Sequence, residues 1–442
     1  MGVRRFLEQR WGLGVALSAA IILPQAFTQA ASTDPMSGKD SSIDFTLTMA
    51  RYHEANGQWG QGCQAYENLL NLDRSNAEAR KGFLRCLRQC HRKFRHNDPS
   101  FLAQVLDPQY KLSESLDFYR DVVRKVQEFY LQADKAQLTR LFQEGLEELL
   151  LDLDDQEFTA KHCKPTATLA DVRDCRAFLK QKFGGVKINN SAEAVDQIRA
   201  VAREVYRRLE INGKLVVVEF ASGACNALDE YSFYLTQSGT MTVGADKTGL
   251  DAQMLEKGVG YIQIHNFDEN TVAALETILL EFRSNRLEVL LLDLRDNAGG
   301  SLEAAVQVVE RFLPAPTPIV STSGKVNKTY QSFSMTTVDV PIFVLVDGGT
   351  ASAAELVAGA LKAHKRAELV GQTTYGKSMV QKVVPVSVAP YGAIRISWAQ
   401  FHLPKTDDLS KHGGLTPTIP AVGSDTQLNI ALQRARALIP MR

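Results

Sequence analysis

The sequence predicts an α/β fold preceded by an all-α domain. Two textures, and the break between them, carry this reading. From about residue 45 to 160 the apolar residues recur at helical spacing throughout. After about residue 256, short β-branched and aliphatic runs alternate with amphipathic stretches. That alternation is the pattern of βαβ units with parallel pairing, with chemistry expected where strands hand over to helices.

The elements follow in chain order. Residues 1–30 read as a secretory signal: Arg4, Arg5 and Arg10 form a basic start, Trp11 to Phe27 is apolar and broken by Pro24, and Thr28-Gln-Ala30 before Ala31 supplies small residues for cleavage. The apolar stretch is too short and too interrupted for a spanning helix of ~20 residues. The expectation is an exported protein, periplasmic or extracellular, or one held at a membrane surface by an uncleaved signal. Residues 31–44 are rich in Ser, Asp and Gly and read as a linker. In 45–160, the stretch from Tyr52 to Tyr66, with Leu69, Leu70, Asn76, Ala77 and Ala79, resembles one tetratricopeptide unit. A single unit does not stack into a solenoid, so the expectation is a helical domain with room for self-association or a regulatory partner. Residues 161–256 read as a helical lead-in and lid region, with a clear helical pattern at 191–210. In 257–442, strands are predicted at Val259–Ile264, Val289–Leu294, Ile342–Val346 and Glu368–Val370, with helices at Asn270–Phe282, Leu302–Phe312 and Ala353–Lys362.

Composition narrows the function. The 442 residues hold 50 Lys+Arg against 50 Asp+Glu, so no overall field draws the chain to nucleic acid. Apolar residues at 45% and charged ones at 23% exclude wholesale disorder and a polytopic membrane protein. In an oxidising compartment the six cysteines allow one to three disulfides, with Cys163 and Cys175 the first pair to expect across a short loop. Cys86 and Cys90 have a metal-like spacing, but no His or carboxylate cluster completes a site. They read as structural, and neither a metal nor a cofactor is expected.

One formal motif match misleads. Gly371-Gln-Thr-Thr-Tyr-Gly-Lys377-Ser378 fits the phosphate-cradling loop, which works only when its Lys and Ser open a helix. The residues that follow are β-rich and contain Pro385. A second constellation shares that lysine. Leu345-Val-Asp-Gly-Gly-Thr-Ala-Ser352-Ala-Ala-Glu355 reads as a strand, a glycine turn and a helix start, which sets Ser352 where backbone N–H groups favour developing negative charge. Taken alone, Ser352 reads first as an N-cap serine in a tightly packed helix start. No His stands near a plausible Ser and Asp. A desolvated lysine can replace histidine as base, and Lys377 lies 25 residues after Ser352 in a Gly-flanked turn. Gln381, four residues further, could orient the amine without holding it protonated.

These blocks together resemble a known family. Leu291-Leu-Asp-Leu-Arg-Asp-Asn-Ala-Gly-Gly300, the Gly349–Glu355 run and the Gly371–Gln381 run look like the C-terminal processing (tail-specific) serine peptidases. Leu228–Tyr234, Gly258–Ile264 and Gly414–Pro420 resemble further family segments, so the likeness covers roughly residues 195–425. It implies a crotonase/Clp-protease-like ββα core. It also implies an exported serine endopeptidase cleaving protein or peptide substrates, with Ser352 as nucleophile, Lys377 as general base and Gln381 as its orienting partner. The oxyanion would be held by the N–H groups of Ala353 and Gly300, with Gly299 the weaker candidate. Arg295 and Asp296 would fix the glycine loop. The chain departs from the family in having 23 residues between Tyr234 and Gly258, too few for the family's PDZ module, and in Ala298 and Thr418. The rival reading is a non-enzymatic ligand- or protein-binding scaffold on the same fold.

Overall fold

The structure is a computed structural model. It describes residues 35–439 apart from 74, 243–248, 326, 336, 406–408 and 410–412. The signal segment expected at 1–30 lies outside the described residues. The chain divides into two compact units: residues 1–244 with 381–398, and residues 245–380 with 399–442.

The first unit is helical: α1 (Pro35–Ala55), α2 (Trp59–Leu72), α3 (Ala77–His96), α4 (Pro99–Leu106), α5 (Leu112–Phe129), α6 (Leu138–Leu153), α7 (Gln156–His162), α8 (Leu169–Phe183), α9 (Ser191–Leu209) and α10 (Gly213–Asn226), then β1 (Phe233–Thr236) and α11 (Gln237–Thr242). Two expectations change here. The stretch 31–44 is not a linker throughout, because α1 begins at Pro35. Ile43 and Leu47 pack on the α2–α3 core, and that tertiary contact outweighs the polar composition around them. The boundary expected at 160 does not separate two units, because the helices of 161–226 belong to the same unit, which also takes in 381–398.

Sequence explains the local choices. Asn76, Asp98 and Asn190 cap α3, α4 and α9 through side-chain oxygens that accept backbone N–H groups. The helix α10 is apolar almost all round, and it is buried all round. It crosses α6 at a glycine pair. A Cβ on Gly223 would stand 2.5 Å from Gly145 Cα, so no larger residue fits there.

A buried ionic cluster joins α3, α6 and α10. Arg88 bonds Glu148 at 2.6 Å, Arg92 pairs with Asp152 at 3.1 Å, and Arg95 pairs with Glu219. His96 stands 3.2 Å from Glu219 and 3.6 Å from Asp152.

The second unit holds β2 (Leu250–Glu256), β3 (Val259–Ile264), α12 (Thr271–Ser284), β4 (Val289–Asp293), α13 (Leu302–Glu310), β5 (Thr317–Gly324), β6 (Lys328–Ser332), β7 (Ile342–Val346), α14 (Ala353–Ala363) and β8 (Ala367–Gly371). Then come β9 (Met379–Pro385) and β10 (Gly392–His402), each divided between the units, and β11 (Ile419–Pro420) and α15 (Ser424–Leu438). In the first unit, β1 pairs antiparallel with residues 392–395 of β10, and Val384, Val386, Ile394 and Ile396 join the helical core. In the second, residues 399–402 of β10 pair antiparallel with β5, and β5 with β6.

A six-stranded sheet forms the second unit's centre, in the order β11-β8-β7-β4-β3-β2. All its pairings are parallel except β2 with β3. Strands β4 and β7 are fully buried and read as unbroken apolar runs, as central parallel strands do. Their faces nevertheless alternate. Leu290 and Leu292 of β4, with Ile342, Val344 and Val346 of β7, pack under α12, α13 and α14. Leu291, Phe343 and Leu345 point the other way, to Ala431 and Ala435 of α15. The fold is therefore α/β, with helices leading and sheets following.

Candidate active site

Strands β4, β7 and β8 lie side by side and parallel, so the loops leaving their C-terminal ends emerge together. Those three loops carry Gly299–Gly300, Ser352 and Lys377.

The loop after β7 is built around Asp347. Its carboxylate accepts from Gly349 N at 2.9 Å, Thr350 N at 3.0 Å and, from the loop after β4, Asp296 N at 3.1 Å. Thr350 Oγ1 donates to Leu294 O at 2.8 Å, and Ala351 N donates to Asn297 O at 2.9 Å. The β4 and β7 loops are thus stitched together just ahead of Ser352. The serine itself stands at φ 54°, ψ −117°, before the first residue of α14. An ordinary N-cap lies in the β region, so this strained backbone is not what capping alone requires.

Glu355, fully buried, sits one turn into α14. One carboxylate oxygen accepts from Ser352 N at 2.9 Å and from Lys377 N at 2.8 Å. The two amide nitrogens are therefore closer together than the sum of those distances. The other oxygen accepts from Gly376 N at 2.6 Å and from the Thr374 hydroxyl. Burial pushes this carboxyl above its usual range, and the four donors pull against that rise. Lys377 is 8% exposed, and its loop is further fixed by Tyr375 N donating to Thr350 O at 2.9 Å.

The glycine pair completes the site. Buried Asn297 donates to Ile264 O at 2.7 Å and accepts from Gly299 N at 2.8 Å, while Phe267 N donates to Gly299 O at 2.9 Å. Gly299 and Gly300 have φ of 112° and 135°. A Cβ on Gly299 would lie 2.9 Å from Ser352 Cβ and 3.0 Å from Ala353 N, so this turn packs directly on the Ser352–Ala353 peptide. Gly299 N is already bonded to Asn297, whereas the N–H groups of Gly300 and Ala353 have no acceptor among the described residues.

Gln381 lies on β9 in the first unit, where its amide donates to Ser397 Oγ at 3.3 Å. Ser397 is itself fixed by Ser232 Oγ, which accepts its N–H at 3.0 Å. Arg295 does not hold the glycine loop as expected. Its guanidinium bonds Asp293 at 2.9 Å, Ser424 O at 2.7 Å and Gln427 at 3.3 Å, which ties the end of β4 to the start of α15. Asp296, at φ 55°, does belong to the loop through Asp347. Lys377-Ser378 runs into strand β9 instead of opening a helix, so the Gly371–Ser378 loop lacks what a phosphate-cradling loop requires and the nucleotide reading fails.

Sequence reasoning passed over Glu355, Asp347 and Asn297. Only Glu355 carried a signal, the Ser-x-x-Glu spacing of a helix start. Among the described residues, His96, Asp152 and Glu219 could each offer a ligand atom to a metal within 4.8 Å of one another. Arg95 bonds Glu219 and Arg92 stands 3.1 Å from Asp152, so a cation there would face two guanidinium groups.

With this geometry in view, comparison with known proteins is direct. Residues 258–421 match peptidase family S41. That stretch is similar to the peptidase S41 domain. Within it lie Gly300, Ser352, Ala353, Lys377 and Gln381. The chain is 35% identical over 173 residues to a carboxy-terminal-processing protease of Bartonella bacilliformis, covering 37% of this chain and 39% of the relative. It is 33% identical over 167 residues to a carboxyl-terminal-processing protease of Synechocystis, covering 37% and 38%. Over 163 residues it is 32% identical to the carboxy-terminal processing protease CtpB of Bacillus subtilis, covering 36% and 33%. The matches to these relatives thus span well under half of each one's length. Among solved structures it is similar to a photosystem II D1 C-terminal processing protease, with a TM-score of 0.42 at 16% identity, covering 70% of this chain and 93% of that one.

Proposed function

We propose that this chain is a serine peptidase that cleaves peptide bonds of protein substrates through a Ser352–Lys377 dyad. The observation that carries this reading is Glu355. One buried carboxylate oxygen binds the backbone of both residues, with the Gly299–Gly300 turn packed on the peptide that follows the serine. Ser352 Oγ attacks the scissile carbonyl while neutral Lys377 takes its proton. The tetrahedral oxyanion is held by Gly300 N–H and Ala353 N–H, each contributing roughly 3 kcal/mol to the lowered barrier. Lys377 then protonates the leaving amine, and water resolves the acyl-enzyme. Gln381 positions Lys377. The relatives' names support C-terminal processing as the kind of cleavage, and the basic, apolar, small-residue order of residues 1–31 supports export.

The test is direct. Ser352→Ala and Lys377→Ala are each expected to abolish cleavage of unfolded casein while leaving the circular dichroism spectrum unchanged. A serine-directed acylating probe is expected to label Ser352 in the unaltered chain. Full cleavage by either variant would overturn the dyad, whereas no cleavage and no labelling of the unaltered chain would favour the binding-scaffold reading.

A further inference from the structure

Outside the site, a second concentration of reactive chemistry lies in the helical hairpin α2–α3. Cys63 on α2 and Cys86 and Cys90 on α3 share one small apolar core and are 0, 0 and 8% exposed. The helices approach closely there, since a Cβ on Gly62 would come within 2.7 Å of Cys86 Sγ. Burial, and after it the neighbouring thiols of Cys86 and Cys90, push the Cys63 thiol up. Those two are four residues apart on α3, neighbours on one helix face, so Cys63 faces both at once. All six cysteines are free thiols in the structure, Cys163 and Cys175 included. The trio, rather than the pair expected across the short loop, is where one thiol has two partners.

We propose that Cys63 is the common member of a single disulfide in this hairpin, bonded to Cys86 or to Cys90, with the remaining thiol as its exchange partner. The chemistry closes with a small-molecule disulfide of the glutathione class as oxidant. Cys90, the one thiol of the three with measurable exposure, attacks that disulfide as thiolate, forming a mixed disulfide and expelling one thiolate. Cys63, having lost its proton to solvent, then attacks Cys90 Sγ and expels the second. Two protein thiols lose two electrons and two protons, and one small disulfide becomes two thiols. Cys86 can next attack Cys63 and release Cys90, which moves the bond by one helical turn. A bond between Cys86 and Cys90 themselves is disfavoured, because the helix that carries both would have to open. Burial pushes the Cys63 thiol above its usual range, so oxidation of the folded chain is slow and must be followed to equilibrium.

The experiment equilibrates the full chain in an oxidising glutathione buffer, alkylates thiols under denaturing conditions, and maps the peptides by mass spectrometry. The unaltered chain is expected to show one hairpin disulfide that always contains Cys63. Cys86→Ser and Cys90→Ser should each keep a bond from Cys63 to the remaining partner, and Cys63→Ser should show none. Three alkylated hairpin thiols in the unaltered chain, or a Cys86–Cys90 bond, would overturn the proposal. Because the unaltered chain decides the matter alone, a variant that folds poorly does not blunt the test. As a second reading, oxidation should raise the thermal midpoint of the unaltered chain by several degrees, and a shift of equal size in Cys63→Ser would count against it.

Discussion

Glu355 shows how much one side chain can hold. Its two oxygens accept four hydrogen bonds from two chain segments and so join the helix start to the lysine loop. Glu355→Gln keeps the volume but turns one acceptor into a donor facing donors. Leaving buried donors unsatisfied should cost about 1–3 kcal/mol of stability, read from the urea midpoint. Displacing the serine and lysine backbones by even 1 Å should lower kcat by about 100-fold. The same kcat as the unaltered chain, at matched folded fraction, would remove Glu355 from the positioning of the dyad. The turns that carry Ser352 and Lys377 were legible in the sequence because each is punctuated by glycine. The role of Glu355 was not, since its partners at Thr374, Gly376 and Lys377 are about twenty residues away. Only the parallel neighbourhood of β7 and β8 brings them back.

At the scale of elements, strong periodicity was readable and weak composition was not. The apolar runs of β4 and β7 end within a residue of where the pattern puts them, because burial on both faces leaves little latitude. The start of α1 could not be read from Ser, Asp and Gly alone, because what orders it is contact with α2. The pH response of α3 follows from its buried His91, whose ring stacks on Phe233 at 4.2 Å and whose Nε2 has no hydrogen-bond partner. Burial, with Arg95 and Arg395 nearby, pushes its pKa down from 6.5 to about 3. Between those two values the unfolded chain binds a proton that the folded chain refuses, so this contribution is full above pH 6.5 and shrinks as pH falls. It should amount to about 2 kcal/mol between pH 7 and pH 5. Denaturant midpoints at the two pH values should show a drop smaller by that amount in His91→Leu, and equal drops would contradict the assignment.

At the scale of the whole molecule, the chain leaves its helical unit at residue 244 and returns to it for 381–398. No composition break marks that return, so a linear boundary near 256 was the most the sequence could offer. The consequence is measurable. A fragment of residues 245–442 would expose Val384, Val386, Ile394 and Ile396, all at most 6% exposed in the full chain. Each side chain is worth roughly 1.5–3 kcal/mol of burial. The fragment is expected to be insoluble or to bind a hydrophobic dye, and a soluble fragment with native-like circular dichroism would show that the returning segment is dispensable.

The ionic cluster of Arg88, Arg92, Arg95, Glu148, Asp152 and Glu219 constrains how this chain can change over generations. Removing one member strands its partner, at a cost of roughly 3–5 kcal/mol for a buried charge, whereas exchanging the whole set for well-packed apolar residues is often neutral. A lineage that accumulates substitutions one at a time therefore cannot easily walk away from it. The six positions should be kept together or lost together, and descendants with five of the six should be rare.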